Sequence, residues 1–412
     1  MNEQEKEPNS PLPVVSPTVG IGKRVLVRAD FDVAVAEGRV IEDFRICRVV
    51  PTLKLLVAAG AAVRIVAHRG RPKGIRSEAL GMAPIAEALA LLLDRAVTLI
   101  EDPFAPGAEE RCGGAGSVAL FENIRFWEGE EKNDFAFAQQ LAARGDIYVN
   151  EAFADCHRAH ASIVSLPRML PAYAGLALAD EIRQLTRVRE RPAHPFVAIL
   201  GGAKLETKLP LARRFLRDAD QVLIGGVLAN TLLTARGVMT GISRRDDKCT
   251  DDACSIARDK KILLPIDAVV TKSSPPAEGD PVRTVEVGTL EDGDAIIDIG
   301  PASEAAYELA LSGARTIVWN GPLGFTEVSA GAQATKMLGA AIARTAGAFR
   351  VLGGGDTITA LSSAGLLGGF DHVSAGGGAM LSFLAGENMP GIEALQCDSG
   401  SIDSSLSVTT RK

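Results

Sequence analysis

Short apolar runs alternate with longer stretches of helical period along most of this chain. Residues 24–31 (RVLVRADF) set apolar against polar positions at period two and are rich in valine, which predicts a strand. Residues 46–60 then repeat apolar positions at helical spacing and stop at Gly60. Further strands are predicted at 63–68, 97–100, 118–122 and 147–153, with helical runs such as 83–94 between several of them. Pro167 and Pro171 interrupt this pattern, and residues 177–191 read as a charged amphipathic helix ended by Pro192 and Pro195. The alternation then restarts with a strand at 196–200, a helix from about Thr207, a strand at 221–226 and another helix. Strands at 267–271, 283–287, 295–299, 316–320 and 349–353 follow. Strand and helix alternating at this interval imply mostly parallel sheets with right-handed crossovers. The expected fold class is therefore α/β, with two doubly wound, Rossmann-like parallel-sheet domains joined by a hinge helix.

A length of 412 residues exceeds what one core holds and fits two domains of ordinary size. The boundaries expected are a flexible extension at 1–17, a first domain at 18–176, a connector at 177–194 and a second domain at 195–390. A tail at 391–412 is expected to return to the first domain. The chain carries 51 acidic against 44 basic residues, a balance that argues against nucleic acid or an anionic membrane as partner. Its six cysteines are scattered with no Cys-x-x-Cys pair, which reads as reduced thiols rather than a disulfide framework or a zinc site. The polar start shows no secretory signal, and no apolar run reaches membrane-spanning length. A cytoplasmic protein is expected, and a monomer, because no long apolar patch advertises an interface.

Candidate chemistry divides the chain in two. Before residue 160, short strings place arginine or histidine near an acid: Asp30, Asp32, Arg45, His68, Arg71, Arg125 and Arg158. An arginine fork matches carboxylate and phosphate oxygens, and several forks after different strands over-supply positive charge unless an anion is bound. His157 and His160, three apart with no second carboxylate pair nearby, are weak evidence for a metal site. After residue 195 glycine-rich strings take over: Gly201, Gly202, Ala203 and Lys204 leading to Lys208, then Asn320 to Pro322, then Gly353 to Thr357, then Gly376 to Gly378. Glycine lets backbone N–H groups approach a polyphosphate, and a helix start with two lysines favours the same ligand. Asp356, at a helix N-terminus, reads either as a cap or, beside a triphosphate, as a contact for Mg²⁺. In open parallel sheets ligands lie beyond the carboxyl ends of strands, where these strings fall, so the two ligands are expected to meet across a cleft.

Taken in order, the strings GKRVLVRADFDV, EDFRI, HRGRPKG, LFENIRF, NEAFADCHRAH, AILGGAK, IDIGP, TIVWNGPLG, GGGDT and PGIEAL resemble the phosphoglycerate kinase family over roughly residues 20–395. The resemblance implies a hinge-bending enzyme that moves a phosphoryl group between MgATP and the carboxylate of 3-phosphoglycerate. It places Asp30, Asp32, Arg45, His68, Arg71, Arg125 and Arg158 on the acid. It places Lys204, Lys208, Asn320, Glu327, Gly354, Gly355, Asp356 and Thr357 on the nucleotide, with Gly201, Gly202, Ala203 and Pro322 in the same strings. Arg45 and Lys208, with the N–H groups of Gly376, Gly377 and Gly378, are the implied catalytic groups, and Asp356 the implied contact to Mg²⁺. Asp32 stands where the family usually has asparagine, and Arg69 where it usually has leucine. An ionised Asp can only accept hydrogen bonds, so these departures leave open a different phosphorylated or phosphonylated acid, or a paralogue that binds nucleotide without turnover.

Overall fold

The structure is a computed structural model that describes residues 12–203, 205–246 and 250–396. The chain separates into two compact units: one runs up to Arg183 and regains the chain from Asn388, the other spans Gln184–Glu387. The division falls inside the helix Leu176–Glu190, between Arg183 and Gln184, rather than at its ends. Among the described residues no helix is long and apolar enough to cross a membrane.

The first unit is built on a six-stranded parallel sheet in the order Thr98–Ile100, Val118–Phe121, Ala62–Val66, Arg24–Arg28, Ile147–Asn150, Ala172–Ala174. All five residues of Ala62–Val66 are buried, the mark of a parallel strand covered by helices on both faces. Val25, Val27, Val63 and Ile65 pack with Ile46, Leu53 and Leu56 of the helix Phe44–Ala58 and with Ile85 and Leu89 of the helix Ala83–Leu93. The terminal helix Pro390–Gln396 belongs to this unit, where Gly391 donates its backbone N–H to Cys156 O at 2.9 Å.

The second unit holds a parallel sheet of equal size, ordered Ile262–Leu263, Gln221–Ile224, Phe196–Leu200, Thr316–Asn320, Phe349–Gly353, His372–Val373. Trp319 and Tyr307, both without exposure, anchor its core with Leu338, Leu352 and Leu361. One expectation needs correction in detail. The segments Arg283–Glu286, Asp267–Thr271 and Ala295–Ile299 do not extend the parallel sheet but form a separate antiparallel one. No helix lies between them, and without a crossover the chain can only fold back antiparallel.

The connecting helix is fastened at its N-terminus by a buried acid. Glu151 accepts from the N–H groups of Leu178 (2.9 Å) and Ala177 (3.3 Å) and from the Thr52 hydroxyl, while Thr52 Oγ1 accepts from Leu176 N at 2.9 Å. Burial raises the Glu151 carboxyl from 4.5 to about 7, against the opposing pull of those donors. A carboxyl raised in the folded state contributes stability that is complete below its unfolded pKa and is lost as pH climbs through the folded value. Stability should therefore fall by about 3 kcal/mol from this group between about pH 4.5 and 7. Glu151→Gln should flatten that decline in chemical denaturation measured across the window, and an unchanged slope would reject the assignment.

Candidate active site

In each sheet one pair of neighbouring strands sends its onward connections to opposite sides, which is where an open α/β sheet leaves a crevice for ligand. In the second unit the pair is Phe196–Leu200 and Thr316–Asn320. Their end loops are joined by backbone bonds from Gly201 N to Asn320 O (3.0 Å) and from Gly202 N to Pro322 O (2.9 Å). Gly202 and Gly321 take φ of 88° and 92°, and an added Cβ on Gly202 would lie 3.0 Å from Lys208 Nζ. Left-handed backbone is close to free only for glycine, so the loops keep this shape without strain.

Lys208 rises from the helix Leu205–Asp218 and turns back under the joined loops. Its ammonium donates to Gly201 O and to Asn320 O (3.2 Å) and is only 7% exposed. Burial lowers its pKa to about 8, partly offset by the charge of Asp356. Neutral carbonyls solvate this cation, and no described carboxylate neutralises it through an ion pair. Asn320 Nδ2 and Thr357 Oγ1 are also buried with no partner. These atoms and Lys208 line one recess of about 300 Å³ with Gly202, Ala203, Pro322, Gly354, Gly355, Asp356, Gly377 and Gly378. Two helices, Gly355–Ser362 and Gly377–Ala385, start here, directing unsatisfied backbone N–H groups and positive dipole ends at the recess. They can start side by side because Gly377 lacks a Cβ, which would sit 3.0 Å from Gly354 Cα. Lys204 lies outside the described residues.

Sequence reading did not foresee the cavity beside this recess. About 400 Å³ in volume, it shares Gly202, Pro322 and Asp356 with the recess and is lined mainly by apolar side chains, among them Val227, Leu233, Ile242, Leu323 and Phe325, with Glu327 among its polar groups. Its walls come from separate segments, including the antiparallel sheet, so no contiguous string announces it. A phosphate-friendly recess opening beside an apolar cavity suits a nucleotide. Asp356 is exposed in the first turn of its helix, where one carboxylate beside phosphate oxygens fits a cation that arrives with them.

In the first unit the diverging strands are Arg24–Arg28 and Ile147–Asn150. Beyond their carboxyl ends lies a charged cluster centred on Asp155, 3% exposed, which sequence reading passed over. Asp155 bridges Arg28 Nη2 (2.9 Å) and Arg125 Nη2 (3.1 Å), with His68 Nδ1 at 3.2 Å and Arg158 Nε at 3.9 Å. Against the upward push of burial, the guanidinium charges of Arg28 and Arg125 hold this carboxyl well below the usual range. The same burial keeps His68 neutral, its pKa lowered to about 3. Arg28, also passed over, is fully buried and bonds Ser162 Oγ at 2.8 Å and Ala29 O at 2.5 Å.

The predicted acid-site residues fall into two groups. Arg45 reaches Asp30 Oδ1 at 3.2 Å and the carbonyl of Asp32 at 3.1 Å, and Arg71 is exposed. Asp30 keeps Oδ2 buried without a partner, and burial raises its pKa to about 6 although Arg45 opposes the shift. Asp32 accepts from Gly70 N at 2.8 Å, which gives its carboxylate a backbone partner. Arg125, in contrast, is 1% exposed, with one arm on Gly70 O at 3.0 Å and the other on Asp155. Arg69 does not add a loose charge to the cluster, because its fork spans the carbonyls of Gly81 (2.6 Å) and Ala79 (2.9 Å).

An arginine cluster in one α/β unit and a lysine-and-glycine recess in the other suit an acid phosphotransferase. Comparison with known proteins narrows this. The family model of phosphoglycerate kinase matches residues 19–387. Phosphoglycerate kinase of Moorella thermoacetica is 42% identical over 380 residues, covering 90% of this chain and 96% of that protein. The enzyme of Azorhizobium caulinodans is 43% identical over 385 residues, covering 91% and 96%. Among solved structures, phosphoglycerate kinase from Coxiella burnetii superposes with a TM-score of 0.80 at 35% identity, over 93% of this chain and 99% of that one. The Pyrococcus horikoshii enzyme gives 0.82 at 33% identity, over 92% and 96%. The chain belongs to the phosphoglycerate kinase family.

Proposed function

We propose that this chain transfers a phosphoryl group reversibly between MgATP and the carboxylate of 3-phosphoglycerate, as a monomer that bends at its connecting helix. The observation that carries the reading is Lys208, a buried ammonium with no ion-pair partner among the described residues, set at the strand switch of a glycine-lined recess. A buried cation without a counter-ion is costly unless an anion completes the site, and a triphosphate does so.

The residues present suit this chemistry. The acid's carboxylate is ionised at neutral pH, so no general base is required, in keeping with a His68 held neutral and buried. Phosphoryl transfer is then mainly alignment and stabilisation of charge on the moving group. Lys208, Arg45 and the amides opening the helix Gly377–Ala385 would carry that charge, while Arg71 and Arg158 would hold the far phosphate of the acid. The recess binds the nucleotide phosphates, the apolar cavity its base, and Asp356 with the phosphate oxygens would hold Mg²⁺, which supplies further positive charge.

A coupled assay with MgATP and 3-phosphoglycerate tests the proposal. Acid-dependent ADP release at rates of about 1–100 s⁻¹ is expected. Tight MgADP binding with no transfer to 3-phosphoglycerate would overturn it.

A further inference from the structure

Asp155 does something to the acid site that arginine content alone would not suggest. Arg28, Arg125, Arg158 and His68 converge beyond the strand switch of the first unit, and one buried carboxylate already satisfies several of them. Asp155 Oδ2 takes Arg28 Nη2 at 2.9 Å and Oδ1 takes Arg125 Nη2 at 3.1 Å, with Arg158 Nε at 3.9 Å from Oδ1. The fork of Arg28 is used up: Nε serves Ser162, Nη1 serves Ala29 O, and Nη2 faces both Asp155 and His68. Arg125 has one arm on Gly70 O and one on Asp155, but its Nε is buried with no hydrogen-bond partner, 3.7 Å from Glu131. The cluster is thus built around an anion that belongs to the chain.

Resting on the proposed acid-binding role of this cluster, we propose that Asp155 is a specificity-determining residue: an internal carboxylate that competes with the substrate's phosphate for Arg125 and Arg158. An incoming phosphorylated acid meets Arg71 and Arg45 directly, and meets Arg158 with Asp155 already 3.9 Å from its Nε. It gains Arg125 only by drawing it from Asp155, so affinity for the acid is set below what the number of arginines would give. A neutral residue of the same shape raises the potential of the site by one unit of charge. At a separation of about 7 Å, with effective dielectrics from 80 down to 20, that corresponds to roughly threefold to fiftyfold in anion affinity.

Asp155→Asn keeps the shape and removes the charge, and two readouts decide. In steady-state kinetics KM for 3-phosphoglycerate should fall by about tenfold, with kcat and KM for MgATP each changing less than threefold. By calorimetry, inorganic phosphate should bind the variant about tenfold more tightly than the unsubstituted protein, a measurement that needs no turnover. Should the unsubstituted protein fail to use 3-phosphoglycerate at all, the functional reading falls while the phosphate titration still tests Asp155. Because Arg28 loses a partner, melting temperature should drop. If the variant does not fold, Asp155→Ser examined at low temperature supplies the same phosphate titration. Phosphate binding that is unchanged or weaker in a folded variant would show that Asp155 is only structural and overturn the proposal.

Discussion

Lys208→Met should lower kcat for phosphoryl transfer by about 10³-fold while leaving the melting temperature unchanged or slightly higher. The two halves of this expectation have one cause. The ammonium is 7% exposed and solvated by the carbonyls of Gly201 and Asn320, with Asp356 as the charge that opposes its desolvation. Burial depresses its pKa from 10.5 to about 8, so near neutral pH the folded state carries a charge that the unfolded chain holds at lower cost. A lysine lowered in this way destabilises the fold below about pH 8, and the loss is recovered as pH rises from there towards 10.5. Removing the charge relieves a penalty of up to about 3 kcal/mol, less what the carbonyl contacts return. Under the proposed function the same charge would face the phosphate chain, where deleting one pre-organised donor costs about 10²–10³ in rate and a transferred-group cation up to 10⁵. Stopped-flow transfer and differential scanning calorimetry on the same preparation check both halves. A loss under tenfold in rate, or a fall in melting temperature of several degrees, would mean that Lys208 is a structural lysine.

That residue was legible from sequence because everything that places it is local. A strand at 196–200, a glycine turn and a helix bearing Lys208 fit within one βα unit, and period and punctuation are what a sequence displays. Much of the fold was readable for the same reason: Phe196–Leu200 and Ala62–Val66 are continuous apolar runs because helices cover both their faces. The antiparallel sheet was misjoined because Asp267–Thr271 and Ala295–Ile299 have the same composition as the parallel strands. Only the missing helix between them tells the difference.

The acid cluster was read less well, and the reason is sequence distance. Arg28 and Asp155 stand 127 residues apart, Arg125 and Asp155 thirty, and no local pattern pairs them. Arg28 sits in the polar phase of an alternating strand, and no motif singled out Asp155. Arg125 was expected to present its fork to the ligand, whereas Asp155 and Gly70 occupy both arms. Residue types pointed to an anion site, while the carboxylate of Asp155 at the centre of these arginines could be seen only once the strands had been brought together.

Gly201→Ala should weaken MgADP binding by at least a hundredfold and destabilise the second unit by about 3 kcal/mol. A Cβ at this position would fall inside the van der Waals envelope of the Pro322 carbonyl and 2.6 Å from Gly321 O, both of them backbone atoms. A flexible side chain could turn aside, but these carbonyls belong to the loop that Gly201 itself holds through its N–H to Asn320 O at 3.0 Å. The methyl group therefore forces the two strand-end loops apart. That separates Gly201 O from Asn320 O, the pair of acceptors that keeps Lys208 in place, and opens the floor of the recess along with it. Gly368→Ala is the control, since an added Cβ there meets nothing within 4 Å and φ is not left-handed. Calorimetric titration with MgADP and thermal melts of both variants decide the matter. If Gly201→Ala tracks Gly368→Ala within threefold in affinity and two degrees in melting temperature, the joined loops are not what shapes the nucleotide site.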